Sequence, residues 1–343
     1  MSTLEVDLID ASPQGGKLSP MPNPRRALVT LLASVAGAVA IMSCDRAGDA
    51  PRADTTALVP PSTPPVDSPG AAVSSGWDTE AGPVLLVVGD RPDAAIVVFP
   101  QLQGEHAAAE LQFDTTALRG SAAALVTRAG TTSVATLGDR TTPGEDEDCV
   151  GWPMLRVVSP SGMPAPWTVG LVSARLTPLP LDSVGSLSPT DSAALIAEVA
   201  RLASTVPVRE AAARLRGLPF SPQDVRRFRV TRGVDAIVAQ VVRSVHQEAI
   251  PLEERTLLIA ERDSAERPGQ RAGRYTLVFH ERAVGHEETL EGSEILAALT
   301  PRNAPRPMLV VARESEGGVR YVILERARPR SWKVKWTSAL VRC

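Results

Sequence analysis

The amino-acid sequence predicts an α+β fold, mostly antiparallel β, with sandwich- or barrel-like lobes and a short central helical segment. Three observations carry this reading. Between residues 77 and 178 the apolar runs are short, β-branched and punctuated by turn residues, a spacing suited to a sandwich or barrel. A helix-start signature, Ser188-Pro189-Thr190-Asp191, then interrupts them. Beyond residue 233 the chain returns to strand-like alternation. The 43% apolar and 22% charged composition of the 343 residues is that of a folded protein, although 30 Pro and 25 Gly point to many turns.

Val84–Val88, the turn at Asp90-Arg91-Pro92-Asp93 and residues 94–99 read as a hairpin. Residues 122–127, 133–137, 154–158 and 168–173 are further strands. Ser188 caps a helix with Pro189 at its first position, and Leu195, Val199 and Leu202 recur at helical spacing. A second helix is expected over 207–216, stopping at Gly217, and Ser221-Pro222-Gln223-Asp224 opens a short third. Residues 234–246 carry a helical stripe at 234, 238, 241 and 245, yet they are rich in Val; with 256–260 they read as a long hairpin. Tyr275, Leu277 and Phe279 alternate before a turn at Ala283-Val284-Gly285, and 291–299 looks helical, ending at Pro301. Residues 308–313, 319–325 and 331–341 form a terminal meander, with Trp332, Val334 and Trp336 sharing one face of its last strand.

The N-terminus carries an address. Arg25 and Arg26 precede sixteen residues, Ala27 to Met42, without a charge or a Pro. As a helix that run spans about 24 Å, short of the roughly 30 Å bilayer core but suited to the apolar region of a signal peptide. It closes with Ile41-Met42-Ser43-Cys44. This segment resembles a bacterial lipoprotein signal, in which an aliphatic residue and small residues precede the Cys that becomes the new N-terminus. Ile41, Ser43 and Cys44 match that pattern. The resemblance implies lipidation of the Cys44 sulfur and a membrane anchor of several acyl chains. A secretory signal cut elsewhere and an uncleaved signal anchor fit the apolar run as well. Met1 and Met21 are alternative starts, and the second gives the leader an ordinary length.

The layout that follows is a signal peptide at 1–43, a Pro/Ser/Thr-rich tether at 44–76 that lacks the apolar side chains to fold, an N-terminal β lobe at 77–178, a helical linker region at 179–232 and an α+β lobe at 233–343. Beyond Cys44 two Cys remain, Cys149 and Cys343. Outside the cytosol they are expected to form a disulfide closing about 195 residues, with two unpaired thiols as the alternative.

Charge divides unevenly: residues 76–178 are net −6 and residues 179–343 net +5. Either the two lobes attract each other, or the basic one faces anionic lipid or an envelope glycan through Arg226, Arg227, Arg229, Arg326, Arg328 and Arg330. Phosphate loops, dinucleotide turns, nucleophile elbows, H-E-x-x-H and C-x-x-C are absent from the sequence. His280-Glu281 and His286-Glu287-Glu288 flank the expected turn at 283–285, so His280, His286 and Glu287 are weak metal or acid–base candidates set against a solvated hairpin end. The acidic run Glu145–Asp148 lacks the ligand spacing of a calcium loop. Trp152, Trp167, Trp332 and Trp336 serve either as core or as a carbohydrate or peptide platform, and Trp is buried on average. The expectation is an envelope-anchored lipoprotein whose body is a non-catalytic binding or structural module. It needs no cofactor, binds no nucleic acid, and has an envelope protein or glycan as partner. The rival is an envelope hydrolase with a site assembled from distant residues.

Overall fold

Several strands begin at the expected apolar runs, among them those starting at Val84, Ala122 and Met154. The computed structural model describes residues 76–101, 115–141, 152–207, 210–245, 251–265, 272–302, 304 and 306–341. Cys44, the tether up to residue 75, Glu145–Asp148, Cys149 and Cys343 lie outside the described residues. The first six strands are β1 (Val84–Val88), β2 (Arg91–Val98), β3 (Ala122–Val126), β4 (Thr132–Thr141), β5 (Met154–Val158) and β6 (Val169–Leu171). They close a barrel in the order β1-β2-β5-β4-β3-β6. Closure rests on three residues, since β6 pairs antiparallel with both β1 and β3. Gly170 allows it: a Cβ there would lie 2.9 Å from the Leu85 Cβ. Leu85, Leu125, Leu137 and Leu155 fill the interior, each stabilising the fold by about 1.5–3 kcal/mol.

The remaining strands are β7 (Leu176–Leu179), β8 (Asp182–Ser183), β9 (Ser221–Thr231), β10 (Val234–Val245), β11 (Leu252–Asp263), β12 (Thr276–His286), β13 (Gly292–Pro301), β14 (Met308–Ser315), β15 (Gly318–Arg328) and β16 (Ser331–Thr337). They form two five-stranded antiparallel sheets, a middle one ordered β16-β15-β14-β13-β7 and an outer one ordered β12-β11-β10-β9-β8. Four layers result. The outward side chains of the barrel, among them Leu86, Ile96 and Trp152, pack on Leu299, Ile323 and Trp336 of the middle sheet. The other face of that sheet, with Leu309, Val311 and Leu324, packs on Val238 and Ile259 of the outer sheet. Helix α1 (Pro189–Ser204) covers the far side through Val199 and Leu202. Its start follows the sequence: the Ser188 hydroxyl accepts from the Asp191 amide at 3.2 Å, and Pro189 occupies the first position.

The fold is thus β-rich and antiparallel, with one α-helix among the described residues. The hairpin reading of 234–246 holds, with β10 pairing β11 from Val234↔Asp263 to Val245↔Leu252. Several local expectations do not hold. Residues 291–299 are not helical but lie in β13. The middle sheet is buried on both faces, so its central strands lose the polar alternation that identifies a strand. Ser221-Pro222 opens no helix; it begins β9, and the strand next to it on that side, β8, reaches only as far as Arg226 and Arg227. Pro222 therefore lies on an open edge, where no ladder bond needs its missing N–H. The expected turn at 283–285 lies inside β12, which runs unbroken to His286. The expected second helix is a 3-10 turn over Glu210–Leu215. The region 179–232 is not a helical linker alone, because β8 and β9 within it belong to the outer sheet and β7 already belongs to the middle one.

Trp332, Val334 and Trp336 do not share a face. The ladder pairs Leu324 with Val334 but Ile323 with Trp336, so Lys335 is the extra residue of a bulge. Trp332 consequently faces the outer sheet and Trp336 the barrel.

Candidate functional site

A second bulge lies beside a large cleft. In β13, Ile295 pairs with Val311 and Ala297 with Val310, leaving Leu296 without a partner residue. An unpaired residue leaves backbone carbonyls that must be satisfied from elsewhere. The barrel supplies the donors: Arg128 Nε donates to the Ile295 carbonyl at 2.9 Å, and Thr168 Oγ1 donates to the Leu296 carbonyl at 2.7 Å. Arg128 also pairs with the Glu294 carboxylate. It stands in the tight β3–β4 turn, where Gly130 has a φ of 76° and approaches Pro180 so closely that a Cβ would lie 3.0 Å from its Cα.

Beside this seam opens a cleft of about 940 Å³ between the barrel and the middle sheet. Its barrel wall includes Val87, Val88, Asp90 and Ile96, and its sheet wall includes Leu296, Glu314, Val319 and Tyr321. Trp167 also lines it and is held in place by donating from its indole to the Pro92 carbonyl at 2.8 Å. Burial pulls the Arg128 guanidinium below its ordinary value against the opposing influence of Asp224. Burial, followed by the nearby Glu314 carboxylate, pushes the Tyr321 phenol up to about 12. Thr168 is committed to the seam, so the cleft combines apolar walls with carboxylates, guanidiniums and a neutral phenol. That is a surface that can bind and orient a small molecule.

Tyr321 gives a pH prediction. A phenol held protonated in the fold contributes stability that is complete below the unfolded value near 10 and is lost as pH rises through about 12. Burial also raises Tyr275, the other of the chain's two tyrosines. Phenolate absorbance at 295 nm should therefore appear together with the loss of folded circular dichroism above pH 10. Tyr321→Phe should flatten that alkaline decline, by up to about 3 kcal/mol for a shift of roughly two units.

The residues singled out in the sequence lie elsewhere. His280 and His286 are both on β12, six positions apart and so about 20 Å apart along the strand. They cannot share one ion, and Glu287 lies beyond the strand end. Among the described residues no group of three or more His, Cys, Asp or Glu side chains is placed to hold a metal. His280 lines a smaller polar hollow of about 390 Å³ with Glu281, Glu291, Arg255, Arg282 and Arg313. Glu281 pairs with Arg313, and as neighbours on a strand His280 and Glu281 point to opposite faces.

None of the four Trp is an exposed platform: Trp152, Trp167, Trp332 and Trp336 are all buried. Trp332 donates to Glu261 at 2.7 Å, and Trp336 meets Trp152 edge-on at 6.2 Å. Arg326 is also buried, holding Glu261 through two bonds of 2.8 and 2.7 Å across the sandwich. Of the expected basic surface, Arg328 is exposed in the β15–β16 hairpin, and Arg330 there pairs with Asp263 at 3.1 Å. Arg226, Arg227 and Arg229 face Asp224, Asp182 and Asp235 respectively.

No known family, curated protein or solved structure matches this chain. The cleft is therefore read from its own chemistry. Arg128, Thr168, Asp90, Glu314 and Tyr321 escaped the sequence reading because no linear motif joins them; pairing across more than 200 residues does.

Proposed function

We propose that the chain is an envelope-anchored lipoprotein whose folded body is a non-catalytic binding module. The cleft of about 940 Å³ carries the binding part of this reading, since its size and its mixture of apolar wall and few polar groups suit a bound small molecule. The anchor part rests on the Arg25-Arg26 pair, the uncharged run Ala27 to Met42 and Cys44. Among the described residues no helix is long and apolar enough to cross a membrane. A lipid on Cys44 would hold the body at the membrane through the Pro/Ser/Thr-rich run that follows it.

Palmitate labelling of wild type beside Cys44→Ala tests the anchor. Label and membrane fractionation are expected in the wild type and lost in the variant; equal labelling of both would remove the anchor.

The rival reading, an envelope hydrolase, has one observation in its favour, the placement of His280 with Glu281 and Glu291 around one hollow. A catalytic imidazole needs a carboxylate or substrate proton within hydrogen-bond reach, and Glu281 is already held by Arg313. His280→Ala separates the two readings. The binding module predicts unchanged ligand affinity and fold, whereas the hydrolase predicts loss of turnover on envelope glycan or peptide.

A further inference from the structure

Resting on that reading of the cleft, we propose that its ligand is an amphipathic small-molecule cation, with an apolar body against the walls and an ammonium group at Asp90 and Glu314. The walls supply Val87, Val88 and Ile96 from the barrel and Leu296 and Val319 from the sheet. Apolar surface alone would not discriminate among ligands, so the charges decide.

Four of the six charged side chains lining or flanking the cleft are already engaged. Arg128 is bonded to the Ile295 carbonyl and paired with Glu294. Arg226 is bonded to Asp224 at 2.6 Å. Asp90 and Glu314 have no ion-pair partner among the described residues, and they stand on opposite walls, Asp90 in the β1–β2 turn and Glu314 near the end of β14. Glu314 lies close enough to Tyr321 to disfavour its ionisation. An entering anion would meet two bare carboxylates and two guanidiniums whose bonds it would have to break. A cation meets two free carboxylates beside low-dielectric walls, where attraction exceeds that in bulk water.

The test is calorimetric titration of the purified full chain with three probes of one shape: phenethylammonium, phenethyl alcohol and 3-phenylpropanoate. Phenethylammonium is expected to bind at least tenfold more tightly than the other two, and to weaken as salt is raised. The Asp90→Asn/Glu314→Gln double variant should lose that preference at least tenfold with unchanged circular dichroism, because both side chains are exposed. Equal binding of all three probes, preference for the propanoate, or an unchanged preference in the double variant overturns the cation proposal and leaves a binding cleft. Absence of heat with every probe overturns both.

Discussion

Glu254→Ala is expected to destabilise the protein by about 3–5 kcal/mol, the largest effect of any single charge removal outside the cleft. Glu254 has no exposed side-chain surface, and two arginines converge on it. Arg243 reaches one carboxylate oxygen with bonds of 3.1 and 2.7 Å, and Arg282 Nε lies 2.8 Å from the other. Their side chains are only 4% and 3% exposed. Arg282 also donates to the Val206 and Pro207 carbonyls, and Arg243 lies 4.5 Å over the Phe220 ring. These contacts spread the two positive charges but do not neutralise them. Removing the carboxylate leaves two cations facing each other on the helix-covered side of the outer sheet. The intact triad need not be stabilising relative to an apolar replacement, because three charges have been taken from water. The triple variant Arg243→Met/Glu254→Leu/Arg282→Met should therefore recover most of the stability lost in Glu254→Ala. Urea denaturation midpoints of the three proteins check this. A loss below about 1 kcal/mol in the single variant would mean that the triad is not buried.

How much of this was legible in the sequence depended on whether each element carries its own turn and β-branched signals. Hairpins such as β1–β2 and β14–β15 announce themselves by β-branched runs and turn residues, although their strands are buried on both faces. Helix α1 does so through Ser188 and Pro189. β13 is hidden because its buried run, Ile295, Leu296, Ala297, Ala298 and Leu299, carries one β-branched residue among Leu and Ala, a composition equally compatible with a helix. Ser221-Pro222 misled for a different reason. The same dipeptide suits the start of a helix and the open edge of a sheet, and only the short reach of β8 decides between them. The charged residues were visible as residues but not as partners. Nothing local distinguishes the buried Arg326, locked to Glu261, from the exposed Arg328 two positions later. The cleft could not be read at all, because its two walls belong to elements that meet only once the barrel has docked on the β13 bulge.

Trp336→Ala should cost about 3–5 kcal/mol, whereas Val334→Ala should cost less than about 1 kcal/mol. Simple alternation puts both residues on one half-buried face and predicts losses for both. The bulge at Lys335 separates them: Trp336 is 1% exposed between the middle sheet and the barrel, while Val334 is 39% exposed. Trp336 carries much of that contact through its edge-on packing with Trp152, and the cavity it would leave has rigid β structure on both sides and little freedom to collapse. The consequence should reach the cleft, because the barrel wall and the sheet wall keep their spacing only while this layer is filled. Affinity for phenethylammonium should fall in Trp336→Ala even under conditions where the variant remains folded, and should be unchanged in Val334→Ala. Equal stability losses in the two variants would mean that the last strand is regular and that the faces assigned to it are wrong. A Trp336→Ala protein that keeps full affinity would mean that the cleft does not depend on how the barrel is seated.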